Sequence, residues 1–252
     1  MGRLAGRIAL ITGATGGIGT EMTQVMAGEG ARVISTGPAP GDTALPEGAE
    51  FMGLDVTSSD AVRAVIAEIG ERYGRLDVLV NAAGIELEKT VEETSEEEWD
   101  RLIDINLKGT FLTCKYALPL LRKSESGSIV NFGSYDGFIA DPKLAAYCAS
   151  KGGVHALTRA IAVDHGPDGI RCNAVCPGYI DTPMMQSFLG DAGTTETVAG
   201  EIARVTPIGR VGSPRDVANM VLWLASDEAR FATGQLFVID GGLSAQVQQM
   251  RL

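Results

Sequence analysis

The strongest constraint on this chain is a repeated change of hydrophobic period: a short apolar run, a turn of small residues, then a stretch whose apolar residues recur with helical spacing. Residues 7–12 read as a buried strand, 12–19 as a glycine-rich turn, 21–29 as a helix and 31–36 as a returning strand. Further strands are expected at 50–55, 76–81, 128–132, 170–176 and 235–239. Helices are expected at 58–73, 99–106, 110–123, 147–163 and 214–226, with a mixed segment running to 205. Strands that alternate with helices call for a parallel sheet, because parallel neighbours cannot be joined by a tight turn.

The expected fold class is therefore α/β, a Rossmann-like doubly wound sheet of seven parallel strands flanked by helices on both faces. Such sheets bind ligands beyond the carboxyl ends of their strands. Those ends hold the turn from Gly13 to Gly19, Asp55, the run from Asn81 to Gly84, Ser134, and the run from Pro177 to Thr182. A glycine turn that follows a strand and opens a helix suits a dinucleotide, since small residues let backbone approach a pyrophosphate at the helix N-terminus; the competing reading is a tight turn rich in glycine. No Pro/Gly/Ser linker, low-complexity tract or longer repeat divides the chain, so residues 1–252 are expected to form a single dinucleotide-binding and catalytic domain.

A net charge of −11 argues against a nucleic-acid backbone as partner. No apolar run approaches a membrane span and no secretory leader pattern is seen, so a cytoplasmic protein without a membrane partner is expected. The four cysteines, at 114, 148, 172 and 176, lack the spacing of a disulfide framework or, with only two histidines, of a zinc site; no metal is expected.

Tyr147 and Lys151 stand four residues apart at the head of a predicted helix, so both project from one face. An ammonium near a phenol favours the phenolate and lowers a pKa that is ordinarily near 10, which would make an acid/base pair. The same spacing is a common surface pairing, and the rest of the chain must decide between the two. His155 and His165 read as structural.

Four pieces in order carry a resemblance: Thr12-Gly13-x-x-x-Gly17-x-Gly19, Asn81-Ala82-Ala83-Gly84, Ser134 with Tyr147-x-x-x-Lys151, and Pro177-Gly178-Tyr179-Ile180-Asp181-Thr182. Together they resemble the short-chain dehydrogenase/reductase family, in its single-domain form of about this length, over residues 4 to about 244. The resemblance implies that Tyr147 is the general acid/base, Ser134 the hydroxyl that holds the substrate oxygen, and Lys151 the cation that lowers the tyrosine pKa and binds the nicotinamide ribose. It implies that Asn106 is a fourth member, whose backbone carbonyl holds a water linked to Lys151. On the cofactor side it implies Gly13, Thr15, Gly17, Ile18 and Gly19 at the pyrophosphate, Gly37, Asp55 and Val56 toward the adenosine, Asn81, Ala82 and Gly84 at the ribose, and Pro177, Gly178, Ile180 and Thr182 at the nicotinamide, with Tyr147 and Lys151.

Members of the family usually signal NAD with an acid after the second strand, or NADP with a cation there or in the glycine loop. This chain has Thr36, Gly37 and Pro38, with Thr15 and Gly16 in the loop. A 2′-phosphate without a cationic partner would be costly, so NAD is expected over NADP. Substrate walls are expected from Glu86, Tyr135, Asp136, Cys148, Tyr179, Met184, Met185 and Phe188, with a lid at about 183–210 and a tail at 243–252 that closes a site. The oily methionines and phenylalanine point to a neutral, moderately apolar secondary alcohol or ketone. A polyol, a dihydrodiol, a carbon–carbon double bond, or a non-catalytic dinucleotide sensor are the alternatives. Family analogy implies a homo-oligomer, a tetramer or dimer.

Overall fold

The structure is a computed structural model and describes residues 2–189 and 195–246. Its strands are β1 (Ile8–Thr12), β2 (Arg32–Gly37), β3 (Ala49–Gly53), β4 (Val78–Asn81), β5 (Ser128–Phe132), β6 (Arg171–Pro177) and β7 (Leu236–Ile239). They form one seven-stranded sheet in the order β3-β2-β1-β4-β5-β6-β7, and every neighbouring pair is parallel. The expected doubly wound sheet is the one observed.

Period-2 alternation divides the core between two faces. Ala9 and Ile11 of β1 face Met22 and Met26 of α1 (Gly17–Gly28) together with Val217 and Val221 of α8 (Pro214–Ala225). Ile8 and Leu10 face the opposite side, with Val65 and Ile69 of α2 (Ser59–Tyr73), Leu121 of α4 (Gly109–Leu121) and Ile161 of α5 (Ala145–His165). Burial on both faces is why β1 reads as a continuous apolar run. Burying each such side chain is worth about 1.5–3 kcal/mol, and truncating Leu10 to alanine would cost about 2–5 kcal/mol.

Chain order reverses between β1 and β4, and both strands end at the same level, with Thr12 opposite Asn81. The segments leaving them diverge, one into α1 and the other into the loop before α3 (Glu96–Ile103), which opens a cleft at that switch point. Local chemistry sets several helix starts. Ser58 caps α2 by accepting from Ala61 N, and Ser95 forms a capping box with Glu98 at the head of α3.

Two elements differ from the sequence expectation. Helices predicted at 99–106 and 110–123 are one continuous rod, in which α3 passes through a π-helical turn at Asp104–Lys108 into α4. The wider turn carries an extra residue and shifts the apolar phase, so the pattern reads as two helices. The mixed segment before α8 holds α6 (Pro183–Leu189) and α7 (Thr195–Val205). Of the C-terminal tail, 247–252 lie outside the described residues, and Gln246 donates to the Val205 carbonyl at the end of α7.

Candidate active site

A cleft of about 1410 Å³ runs along the carboxyl ends of the strands from Gly37 to Tyr147 and Met184. At its nucleotide end Gly13 has φ +66°, and a Cβ there would lie 2.6 Å from Ala83 N. A Cβ on Gly19 would lie 2.2 Å from Gly13 O, so this turn tolerates no side chain at either position. Gly16 caps α1 with no side-chain hydrogen bond, and the first turn carries no acid. The N–H groups of that turn therefore have no intrahelical acceptor and face a site suited to an anion. Thr15 rests against Gly37, where a Cβ would come within 2.8 Å of its Oγ1. Asp55 turns one oxygen back to accept from Thr57 N at 2.9 Å and Thr57 Oγ1 at 2.7 Å. These residues fit a dinucleotide: a side-chain-free cradle, an anion-ready helix terminus and a long cleft.

Gly13, Thr15, Gly17, Ile18, Gly19, Gly37, Asp55, Val56, Ala82, Gly84, Tyr147, Lys151, Pro177, Gly178, Ile180 and Thr182 all line the cleft. Asn81 does not. Its amide is turned into the protein, where Nδ2 donates to Asn131 Oδ1 at 2.9 Å and Oδ1 accepts from Thr113 at 2.7 Å. As the last residue of a buried strand, Asn81 ties β4 to β5 and α4 below the cleft floor.

The opposite end is organised by α5 and by the loop after β5. One helical turn brings Lys151 behind Tyr147, with Nζ 5.3 Å from the ring centroid and donating to Phe132 O at 2.9 Å. Ser134 and Tyr147 line the same end of the cleft, and the Ser134 hydroxyl donates to Asp136 Oδ2 at 3.2 Å. Burial and then the carboxylates of Glu86 and Asp136 push the phenol well above its ordinary pKa, against a smaller lowering by Ser134. The Lys151 ammonium, expected to lower it, lies over the ring and is tethered to Phe132 O. Burial brings Lys151 itself down to about 8.

Asn106 sits inside the π turn and is 2% exposed. Its side chain clamps the backbone of Ile85, accepting from Ile85 N at 2.8 Å and donating to Ile85 O at 2.9 Å, and it also donates to Ser150 Oγ at 3.1 Å. Its backbone carbonyl, expected to hold a water, accepts the Thr110 hydroxyl at 2.8 Å. Asn106 thus ties the loop after β4 to α5.

Of the residues expected as substrate walls, Glu86, Tyr135, Asp136, Tyr179, Met184 and Met185 line the cleft. Cys148 does not line the cleft, because the residue after Tyr147 is turned by about 100° around the helix. The side chain of Phe188 lies outside the described residues. Asp141 joins the wall, accepting from the Tyr135 hydroxyl and, at 2.5 Å, from the Tyr179 hydroxyl. Its N–H donates to Asp136 Oδ1 at 3.1 Å. Burial first, then neighbouring acid, raises Glu86 to about 7; burial raises Asp136 to about 6.

Two features escaped sequence reasoning. Among the described residues lining the cleft, eight carboxylates face two cations, Arg101 and Lys151, and the rod of α3 and the π turn contributes Glu97, Asp100, Arg101, Asp104 and Ile105. Nothing in the local pattern of α3 marks these as cleft residues. His155, read as structural, lies directly beneath Ser134: Nε2 is 3.4 Å from Ser134 N and 3.2 Å from Cys176 Sγ. A Cβ on Gly133 would come within 2.3 Å of the imidazole and one on Gly137 within 2.2 Å, so these two glycines were the signal. Burial holds His155 down at about 4, and the ring is neutral at pH 7.

Comparison with known proteins gives this geometry its lineage. Residues 13–244 match a family model described as enoyl-(acyl carrier protein) reductase. A 3-oxoacyl-[acyl-carrier-protein] reductase of Thermotoga maritima is 41% identical, covering 96% of this chain and 99% of the relative. A cyclopentanol dehydrogenase of Comamonas sp. is 40% identical over 97% of this chain and 100% of its own length. The ligand-free structure of Thermoplasma acidophilum aldohexose dehydrogenase superposes with a TM-score of 0.94 at 37% identity, covering 99% of this chain and 98% of that one. Each likeness spans nearly the whole of both proteins, and the chain therefore belongs to the short-chain dehydrogenase/reductase family of oxidoreductases.

Proposed function

We propose that this protein transfers a hydride between NAD and a secondary alcohol or the corresponding ketone. The observation that carries the reading is the convergence of Ser134, Tyr147 and Lys151 at one end of a cleft whose other end is the glycine cradle. Two hydroxyls at that end suit one substrate oxygen. The names of the relatives support it, since a 3-oxoacyl group, cyclopentanol and an aldohexose share a carbon at the alcohol or carbonyl level.

The bound nicotinamide would supply the hydride acceptor or donor. Ser134 orients the reacting oxygen. In the direction of reduction Tyr147, held as a neutral phenol by its surroundings, gives its proton to the carbonyl oxygen as hydride reaches the carbon. Lys151, close to neutrality in its titration, then replaces that proton. Oxidation runs the same steps backward, releasing one proton and one ketone for each alcohol. Preference for NAD rests on Thr15, Gly37 and Pro38, uncharged residues that line the cleft at the carboxyl end of the second strand. The segment of α6 and α7 serves as the lid, bringing Met184, Met185, Val198 and Ile202 to the cleft.

A panel of secondary alcohols and ketones with both cofactors, read by nicotinamide absorbance, tests the reading. Turnover with NAD is expected to exceed that with NADP. Tyr147→Phe is expected to lose at least about a hundredfold in kcat while still binding NADH. Absence of turnover across the panel, or full activity in Tyr147→Phe, overturns it.

A further inference from the structure

We propose that the substrate of this site is polyhydroxylated, a vicinal diol or sugar, and that the Glu86 carboxylate accepts the hydroxyl next to the reacting carbon. The inference rests on the alcohol dehydrogenase reading and narrows it. Three carboxylates stand around Ser134 and Tyr147, and they are not equivalent. Asp136 is engaged by Ser134 Oγ at 3.2 Å and by the Asp141 N–H at 3.1 Å. Asp141 takes the hydroxyls of Tyr135 and Tyr179. Glu86 lines the same cleft and hydrogen-bonds to none of the described residues.

A partly buried carboxylate without donors costs free energy that a ligand hydroxyl would relieve, and an ionised carboxylate can take up to about four such bonds. Glu86 is also positioned. The residue before it is gripped through both backbone groups by Asn106, which is in turn bonded to Ser150 on the helix that carries Tyr147 and Lys151. Glu86, Tyr147 and Lys151 thus share one rigid frame.

The donor is more favourably a hydroxyl than an ammonium. Asp136 and Asp141 already accept from donors, which leaves Glu86 as the one of these three carboxylates with open acceptor capacity and Lys151 as the cation beside the site. A second cation would be repelled by Lys151, whereas a neutral hydroxyl bridges to Glu86 without disturbing the pair. The oily wall of Met184, Met185, Val198 and Ile202 covers the carbon face of such a substrate. The expectation of a moderately apolar substrate rested on that wall alone.

The test compares cyclohexane-1,2-diol, cyclohexanol and 2-aminocyclohexanol as substrates with NAD, in the wild type, Glu86→Gln and Glu86→Leu. The wild type is expected to prefer the diol over cyclohexanol in kcat/KM by at least about tenfold. In Glu86→Leu that ratio falls by at least about tenfold, and Glu86→Gln, which keeps a neutral acceptor oxygen, falls between. A ratio unchanged by both substitutions, or a wild type that prefers cyclohexanol, overturns the inference and leaves the dehydrogenase reading standing. Amino alcohol outrunning diol at neutral pH overturns it in favour of a cationic substrate. Should Glu86→Leu fail to fold, the wild-type ranking and Glu86→Gln decide. No turnover of any of the three, nor of cyclohexanone with NADH, removes the dehydrogenase reading itself.

Discussion

The two ends of the cleft are built from different materials. At the nucleotide end the surface is largely backbone: Gly13, Gly16, Gly17 and Gly19, with small residues at 82–84. At the substrate end it is side chain: three carboxylates, the phenols of Tyr135, Tyr147 and Tyr179, and one ammonium. Backbone N–H groups at a helix terminus hold an anion by geometry and remain unchanged with pH. Buried acids and phenols hold a ligand through protonation states that neighbours set. The first end accepts one chemical class, and the second is where members of a shared fold can differ.

The largest expected effect breaks the nucleotide end. Gly19→Val places side-chain atoms into the Gly13 carbonyl, already 2.2 Å from the position of a Cβ, and is expected to abolish detectable NADH binding by calorimetry; if the protein is also unfolded, circular dichroism will show it. At the substrate end His155→Leu removes the acceptor beneath Ser134 N. The expected outcome is a fall in kcat of about tenfold to a hundredfold with the dissociation constant of NADH unchanged, and partial recovery in His155→Gln; equal losses in both quantities would mean a general collapse instead.

Pro38→Arg sharpens the contrast by adding a charge to an end that lacks one. It is expected to raise kcat/KM for NADP relative to NAD by about tenfold, and a fixed ratio would show that the second strand does not set cofactor choice. The smallest effect is on stability. Glu86 is raised from an ordinary 4.5 to about 7, so between those values the folded chain binds the proton more tightly than the unfolded chain and stability falls as pH rises. Above pH 7 the full cost is present. After discounting for partial exposure, Glu86→Gln is expected to be more stable than wild type by about 1–2 kcal/mol at pH 8, with the gap closing near pH 4 in denaturant titrations.

Legibility in the sequence followed the range of the interactions. The start of the helix at 58–73 and the glycine turn are set within a few residues, and each is found where the pattern places it. The join of α3 to α4 was missed because a π turn disrupts the periodicity used to read it. Asn81 was expected in the cleft from the family resemblance and Cys148 as a candidate wall, yet alternation along a strand and rotation around a helix turn these side chains away from it. The pairing of His155 with Ser134 joins residues from two elements and has no local signature.

By itself the sequence determined the layered sheet, the order of its elements and the presence of Ser134, Tyr147 and Lys151 at its carboxyl edge, because hydrophobic period and turn chemistry act over short spans. Only the tertiary structure decided the electrostatics of that edge. Tyr147 is pushed up by burial and then by the carboxylates of Glu86 and Asp136, which come from other elements, while Lys151 over its ring donates to Phe132 O. Desolvation and Coulomb interactions depend on distance and burial, and these are set when the strands and helices have packed.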